Sequence, residues 1–142
     1  MNRVYVDTSV WVAAFGAEAS GAKALEWLRN SDLQSIVTSD WITTEFASAI
    51  AMKTRREEIS KADGEHAHLD FEMIDQQLVH LPIDSVDYMK AATLCRDIKS
   101  NLRASDALHL ALAIRHKCTD ILSLDHVLCH QAKRQGIRVI DL

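Results

Sequence analysis

Four carboxylates occupy positions where a parallel α/β fold would gather them. Asp7 and Asp125 each follow a short apolar run that predicts a buried strand. Glu45 interrupts the apolar stripe of a predicted helix, and Asp106 lies in the first turn of the most hydrophobic helix of the chain. Ligands of open parallel sheets bind beyond the carboxyl ends of the strands. If the four side chains converge there, they form an acidic pocket suited to a divalent metal ion, as in a metal-dependent phosphodiesterase.

An acidic pocket of this kind requires cations. Two like charges about 4 Å apart repel by roughly 4 kcal/mol at an effective dielectric of about 20, so four carboxylates would otherwise take up protons. Hard divalent ions prefer oxygen ligands, which favours Mg²⁺ or Mn²⁺ over zinc. Such ions activate water and stabilise the charge of a phosphodiester under attack. This chemistry needs no nucleophilic side chain.

Each acid also has a simpler interpretation. An aspartate after a strand commonly caps the next helix, and an aspartate in the first turn of a helix is favoured by the helix dipole. These roles suit the three aspartates one by one. Glu45 is different, because its neighbours one turn away are mostly apolar. It could still reach water at the edge of the stripe and pair with Lys53 or Arg56.

Alternating strand and helix patterns predict the frame that would position these acids. Strands are predicted at residues 3–6, 36–38, 79–83, 121–124 and 138–140. Helices are predicted at residues 10–15, 20–30, 41–53, 55–77, 85–99, 104–116 and 126–135, with Gly64 as a candidate break in the fourth. This order predicts an α/β fold: one domain over residues 1–142, with a mainly parallel five-stranded sheet flanked by helices on both faces.

The composition is typical of a soluble globular domain, since 48% of the 142 residues are hydrophobic and 25% are charged. The first residues lack the apolar core of a signal peptide, and no uncharged apolar run approaches the roughly 20 residues of a membrane span. The three cysteines suit no closed disulfide framework. These features predict a cytoplasmic protein. The net charge of −4 becomes balanced once the four proposed pocket acids are set aside, so it neither supports nor excludes a phosphate-rich substrate.

The sequence around the four acids resembles the four motifs of the PIN-domain nucleases. The matching segments are VYVDTSVW at residues 4–11, Glu45 followed by Phe46 and small residues, LRASDALHLA at residues 102–111, and LSLD at residues 122–125. The resemblance covers essentially the whole chain. The order, spacing and total length are similar to those of the VapC-type toxins of bacterial and archaeal toxin–antitoxin pairs.

The resemblance implies a Mg²⁺- or Mn²⁺-dependent endoribonuclease that hydrolyses RNA phosphodiester bonds and is held inactive by a small antitoxin of a type II pair. A homodimer is usual in the family and becomes a heterotetramer or larger assembly with the antitoxin, whose tail occupies the acidic groove. The implied catalytic and metal-binding acids are Asp7, Glu45, Asp106 and Asp125. Ser9 would be a hydroxyl near Asp7, and Ser123 keeps the hydroxyl of a frequent Thr.

Two neighbours of Asp106 have further interpretations. Arg103 lies one turn before Asp106 and could bind a substrate phosphate, or it could form a salt bridge with a pocket acid. His109 lies one turn after Asp106 within an apolar helix. A hydrogen-bonded core histidine is favoured there over a catalytic base.

Other function classes fit the motifs less well. A halo-acid-type phosphatase needs a second acid two residues after the first, where this chain has Ser9. A receiver domain needs an acid pair near the first strand, and here one acid follows it. Within the resembled family, the alternatives are a non-toxin nuclease of RNA processing and a catalytically silent interaction module. Intact acids at all four places argue against the silent module.

Overall fold

The structure, a computed structural model, describes residues 2–142. Met1, with which the predicted domain begins, lies outside the described residues. The strands are β1 (Val4–Val6), β2 (Ile36–Ser39), β3 (Val79–Leu81), β4 (Asp120–Leu122) and β5 (Arg138–Val139). The α-helices are α1 (Thr8–Phe15), α2 (Gly21–Arg29), α3 (Trp41–Arg55), α4 (Lys61–Asp75), α5 (Ser85–Arg96), α6 (Ala104–Arg115) and α7 (His126–Arg134). Two short 3-10 helices, Leu33–Ser35 and Ile98–Ser100, lie in the connections.

The five strands form one parallel sheet in the order β3-β2-β1-β4-β5. The chain moves outward from β1 to β3 on one side and from β4 to β5 on the other, so the strand order reverses between β1 and β4. Val6 pairs with Leu122 there, which means that both strands end at the same level. A reversal of this kind opens a crevice at the carboxyl ends of the strands.

Side-chain alternation along the strands divides the core between the two faces of the sheet. Tyr5 and Ile121 pack with α5, α6 and α7, whereas Val6 and Leu122 pack with α1 to α4. The predicted fold class, a parallel five-stranded sheet with helices on both faces, is confirmed. Helix α6 lies in the middle of its layer and is buried from residue 107 to residue 113, which explains its apolar pattern. None of the helices within residues 2–142 is both long and apolar enough to cross a membrane.

The predicted break at Gly64 is wrong, because the chain breaks between α3 and α4 instead. Glu57 adopts a φ of 59° there, and Ser60 caps the N-terminus of α4 through a capping box. Gly64 lies inside α4, where the helix approaches α3 closely. A Cβ at this position would lie 3.3 Å from Ile50 Cγ2, so a residue without a side chain permits the close packing of the two helices.

Candidate active site at the carboxyl edge of the sheet

Asp7 is deeply buried at the end of β1, with only 3% of the residue exposed. Ser9 Oγ donates to Asp7 Oδ1 at 2.5 Å, and Ser123 Oγ donates to Asp7 Oδ2 at 2.9 Å. Burial raises the pKa of Asp7, while the positive charge of His109 and the two serine hydroxyls oppose the rise. The Asp7 side chain makes no capping hydrogen bond to α1. The helix-cap interpretation therefore does not apply to it.

Ser9 and Ser123 tie together the two loops that leave the sheet at the β1–β4 reversal. Besides donating to Asp7, Ser9 Oγ accepts from the backbone N–H of Leu124 at 2.9 Å. Ser123 Oγ likewise accepts from the backbone N–H of Asp125 at 3.0 Å. Each hydroxyl both donates and accepts, which fixes the direction of its proton toward Asp7.

Glu45 reaches the same edge from α3, in the opposite helical layer to α6. Its Oε1 accepts from Thr8 Oγ1 at 2.8 Å and from His109 Nε2 at 2.5 Å. The pairing with Lys53 that the sequence left open does not form, because Lys53 binds two other glutamates. Glu45 is therefore held by polar neighbours within the cluster. Sequence reasoning missed Thr8, whose one signal was its place beside Asp7 in the first motif.

His109 connects the two helical layers through a buried hydrogen-bond chain. It is 1% exposed on α6, and its Nδ1 bonds the hydroxyl of Tyr5 at 2.7 Å while its Nε2 donates to Glu45. Burial disfavours the charged imidazolium, but the bond to Glu45 and the charges of the neighbouring acids outweigh it, so the pKa of His109 is raised. The core histidine favoured from the sequence thus also brings a proton into the acidic cluster.

Asp106 lies in the first turn of α6 and is partly buried. Burial raises the pKa of Asp106 to about 6. The negative charges of the other three acids add to this rise, and His109 opposes it. Since all three acids act on one carboxyl group, the structure brings Asp7, Glu45, Asp106 and Asp125 into a single electrostatic cluster.

Asp125 combines a place in this cluster with a structural role. It lies three residues after β4, because the strand ends at Leu122 and not at residue 124 as predicted. Its Oδ1 accepts from the backbone N–H of Leu128 at 2.9 Å and so caps α7. The helix-cap interpretation therefore holds for Asp125, while its charge still raises the pKa of Asp106.

Arg103 precedes α6 and is exposed. Its salt bridge with a pocket acid, one of the two interpretations from the sequence, is absent from the part of the chain that the structure describes. Beside the acids lies an open hollow of ≈ 370 Å³, whose lining includes Glu45 and Asp125. This hollow gives a ligand access to the cluster from solvent.

The cluster offers the oxygen donors that a hard divalent ion prefers. The raised pKa values of Asp7 and Asp106 indicate negative charge that the protein compensates incompletely, which an added cation would relieve. Within residues 2–142, no group of three or more His, Cys, Asp or Glu side chains is already spaced to hold an ion. The donor set therefore fits such an ion in chemistry.

Comparison with known proteins identifies one family. The family model described as PIN domain matches residues 4–134 of the chain. No curated protein sequence matches the chain. The family match spans strands β1 to β4 and all four acids, and it ends before β5.

Three solved structures have a similar fold. VapC20 of Mycobacterium tuberculosis, described as a sarcin–ricin loop cleaving toxin, is 16% identical with a TM-score of 0.71 and covers 90% of this chain and 94% of its own. FitAcB of Neisseria gonorrhoeae is 16% identical with a TM-score of 0.70, over 97% and 96% of the two chains. VapBC2 of Rickettsia felis, bound to a DNA fragment from its promoter, is 15% identical with a TM-score of 0.64, over 98% of both. At this level of identity the similarity concerns the fold.

Proposed function

Because this chain belongs to the PIN domain family, we propose that it is a metal-dependent endoribonuclease and the toxin of a type II toxin–antitoxin pair. The observation that carries the proposal is the gathering of four acids from distant parts of the chain at the β1–β4 reversal. Burying carboxylates beside one another opposes folding. An arrangement with that cost is typical of a site that uses the charge for chemistry.

Mg²⁺ or Mn²⁺ would be held by carboxylates of the cluster, namely Asp7, Glu45, Asp106 and Asp125. A divalent ion supplies activation of water and neutralisation of the phosphodiester charge. The chain supplies the positioning: two serine hydroxyls orient Asp7, while Thr8 and His109 hold Glu45. Side chains fixed in this way lose little freedom when a ligand binds.

Arg103 is proposed to bind a phosphate of the RNA near the bond that is cleaved. Its guanidinium is exposed and forms no ion pair with the described residues, so it is available to an anion. A guanidinium can donate two parallel hydrogen bonds to a phosphate. Hydrolysis by activated water requires no covalent intermediate with the protein.

The toxin assignment is supported by the similarity in fold to VapC20, which is described as a toxin, and to VapBC2. Both similarities extend over nearly the whole length of each chain. The proposed partner is a small antitoxin, and the proposed assembly is a homodimer that becomes a heterotetramer or larger with it. The proposed location is the cytoplasm, where the RNA substrate is found.

The nuclease activity is tested by cleavage of RNA with purified protein. Mg²⁺ or Mn²⁺ should support cleavage, and a chelator should stop it. Asp7→Asn should lower the rate by on the order of a hundredfold or more, because it removes a charge from the ion's ligands. Asp70→Asn is the matched control, since Asp70 is exposed on α4. This variant should cleave RNA as the wild type does. Normal cleavage by Asp7→Asn would show that the site lies elsewhere.

The toxin role needs a separate test in cells. Expression of the chain alone should arrest growth, and Asp7→Asn should not. Co-expression of the product of an adjacent small gene should restore growth. Active protein that is harmless at high expression would favour a nuclease of RNA processing instead.

A further inference from the structure

A second hollow, of ≈ 530 Å³, opens directly beside the candidate active site. Its walls come from the start of α2, from α7 and from residues 139–142. Ser123 and Leu124 also line it. Ser123 is the residue that donates to Asp7, and Leu124 also lines the first hollow. The second hollow therefore adjoins the acidic cluster.

Among the side chains around this second hollow, lysine and histidine outnumber carboxylates. Lys23 from α2 and Lys133 from α7 line it, together with the imidazoles of His126 and His130. One carboxylate side chain, that of Asp141, also lines it. All five side chains are exposed, so a ligand can reach them without displacing core residues.

The charge of the two lysines is not compensated by a salt bridge, as is true of most Lys and Arg side chains of the described residues. Within residues 2–142, Lys23 and Lys133 form no salt bridge, although Lys53, Arg115 and Arg138 are all paired with carboxylates. Uncompensated positive charge beside an acidic cluster attracts anions toward that edge of the sheet. It opposes the repulsion that the cluster's carboxylates would exert on a polyanion.

We propose that the second hollow binds backbone phosphates of the RNA strand on one side of the cleaved bond, an inference that rests on the proposed function. Phosphate contacts by lysine fix the position and direction of a nucleic-acid strand without reading its sequence. A strand bound by Lys23 and Lys133 would pass Ser123 and enter the acidic cluster. The hollow therefore positions the substrate, while the acids act on it.

Binding can be measured without cleavage. The probe is a fluorescein-labelled oligouridylate with 2′-O-methyl sugars, in chelator, and the readout is fluorescence anisotropy over a range of salt concentrations. The variant is Lys23→Gln/Lys133→Gln in the full chain. Loss of two phosphate contacts should weaken binding roughly tenfold at low salt and reduce the slope of log K against log salt by about 1.4.

The matched control is Lys90→Gln/Lys117→Gln, which makes the same charge change at two exposed lysines that do not line the hollow. It should bind the probe as the wild type does. Equal weakening by both variants would show that net charge alone is responsible and would overturn the proposal. Circular dichroism of both variants checks that the fold is intact.

Three further outcomes separate this proposal from others. If the lysine variant binds the oligonucleotide normally but no longer binds a glutamate-rich peptide that the wild type binds, the hollow binds a protein segment and the proposal is wrong. If the wild type binds the oligonucleotide through these lysines yet fails to cleave RNA with Mg²⁺ or Mn²⁺, the proposed activity falls and the phosphate site stands. If the wild type does not bind the oligonucleotide, the phosphate site falls.

Discussion

At the scale of single residues, the candidate site is built from charges that oppose folding. Burial raises the pKa of Asp7, and it raises that of Asp106 to about 6. The chain compensates part of this charge with hydroxyl groups and with the buried imidazole of His109. A bound cation would neutralise the negative charge that these groups leave uncompensated.

Asp106→Asn should stabilise the protein in the presence of a chelator. The pKa of Asp106 in the folded state, about 6, lies above the ordinary 3.8. Ionisation of Asp106 therefore lowers the free energy of unfolding, and it does so in full above pH 6. That loss of stability declines as the pH falls from 6 to 3.8 and disappears below 3.8, where Asp106 becomes protonated in both states. Because Asp106 is only partly buried, we expect a gain of about 1 kcal/mol in urea unfolding near neutral pH.

The same variant should lose RNA cleavage, so stability and activity should change in opposite directions. Asp70→Asn, at an exposed position on α4, should alter neither quantity. Repeating the unfolding at about pH 4 should remove most of the difference between Asp106→Asn and the wild type. A variant that is less stable than the wild type in chelator at neutral pH would contradict the electrostatic account.

The sequence predicted the acids better than it predicted their partners. Glu45 was conspicuous because a carboxylate in an apolar stripe needs a polar neighbour. The neighbour, His109, is 64 positions away on a helix of the other layer. No local pattern indicates such a contact, because it arises only when the two layers meet at the edge of the sheet.

At the scale of elements, the crucial units are the two loops that follow β1 and β4. The alternation of strands and helices was predictable from hydrophobic periodicity, including the buried α6. The ends of the strands and helices were less predictable. Strand β4 ends at Leu122, and the break before α4 falls at Glu57 and not at Gly64. Both depend on tertiary contacts, namely the Ser123 hydrogen bonds and the close packing of α4 on α3.

Ser123→Ala should disconnect the two loops. The change leaves an Asp7 oxygen and the backbone N–H of Asp125 without their shared partner. We expect a loss of about 1–2 kcal/mol in urea unfolding and a fall in kcat on the order of tenfold. Ser123→Thr keeps the hydroxyl and should retain most of the stability and most of kcat. If Thr is as damaging as Ala, packing at this position matters more than the hydrogen bonds.

At the scale of the whole molecule, the site lies where the two helical layers meet over one edge of the sheet. Asp7 and Asp125 come from the loops after the strands, Glu45 comes from one layer, and Asp106 comes from the other. A ligand that binds all four therefore connects both loops with both helical layers. Binding at this place should stabilise the entire fold.

Mn²⁺ should accordingly raise the unfolding temperature of the wild type, with a shift that grows with the logarithm of its concentration. An ion at a hundredfold excess over its Kd contributes about 2.7 kcal/mol, or roughly 8 °C for a domain of this size. Differential scanning calorimetry during a Mn²⁺ titration measures the shift. Asp7→Asn should abolish most of it and Asp70→Asn should keep it, since only Asp7 lies in the cluster. A full shift in Asp7→Asn would place the ion at another part of the molecule and separate metal binding from the four acids.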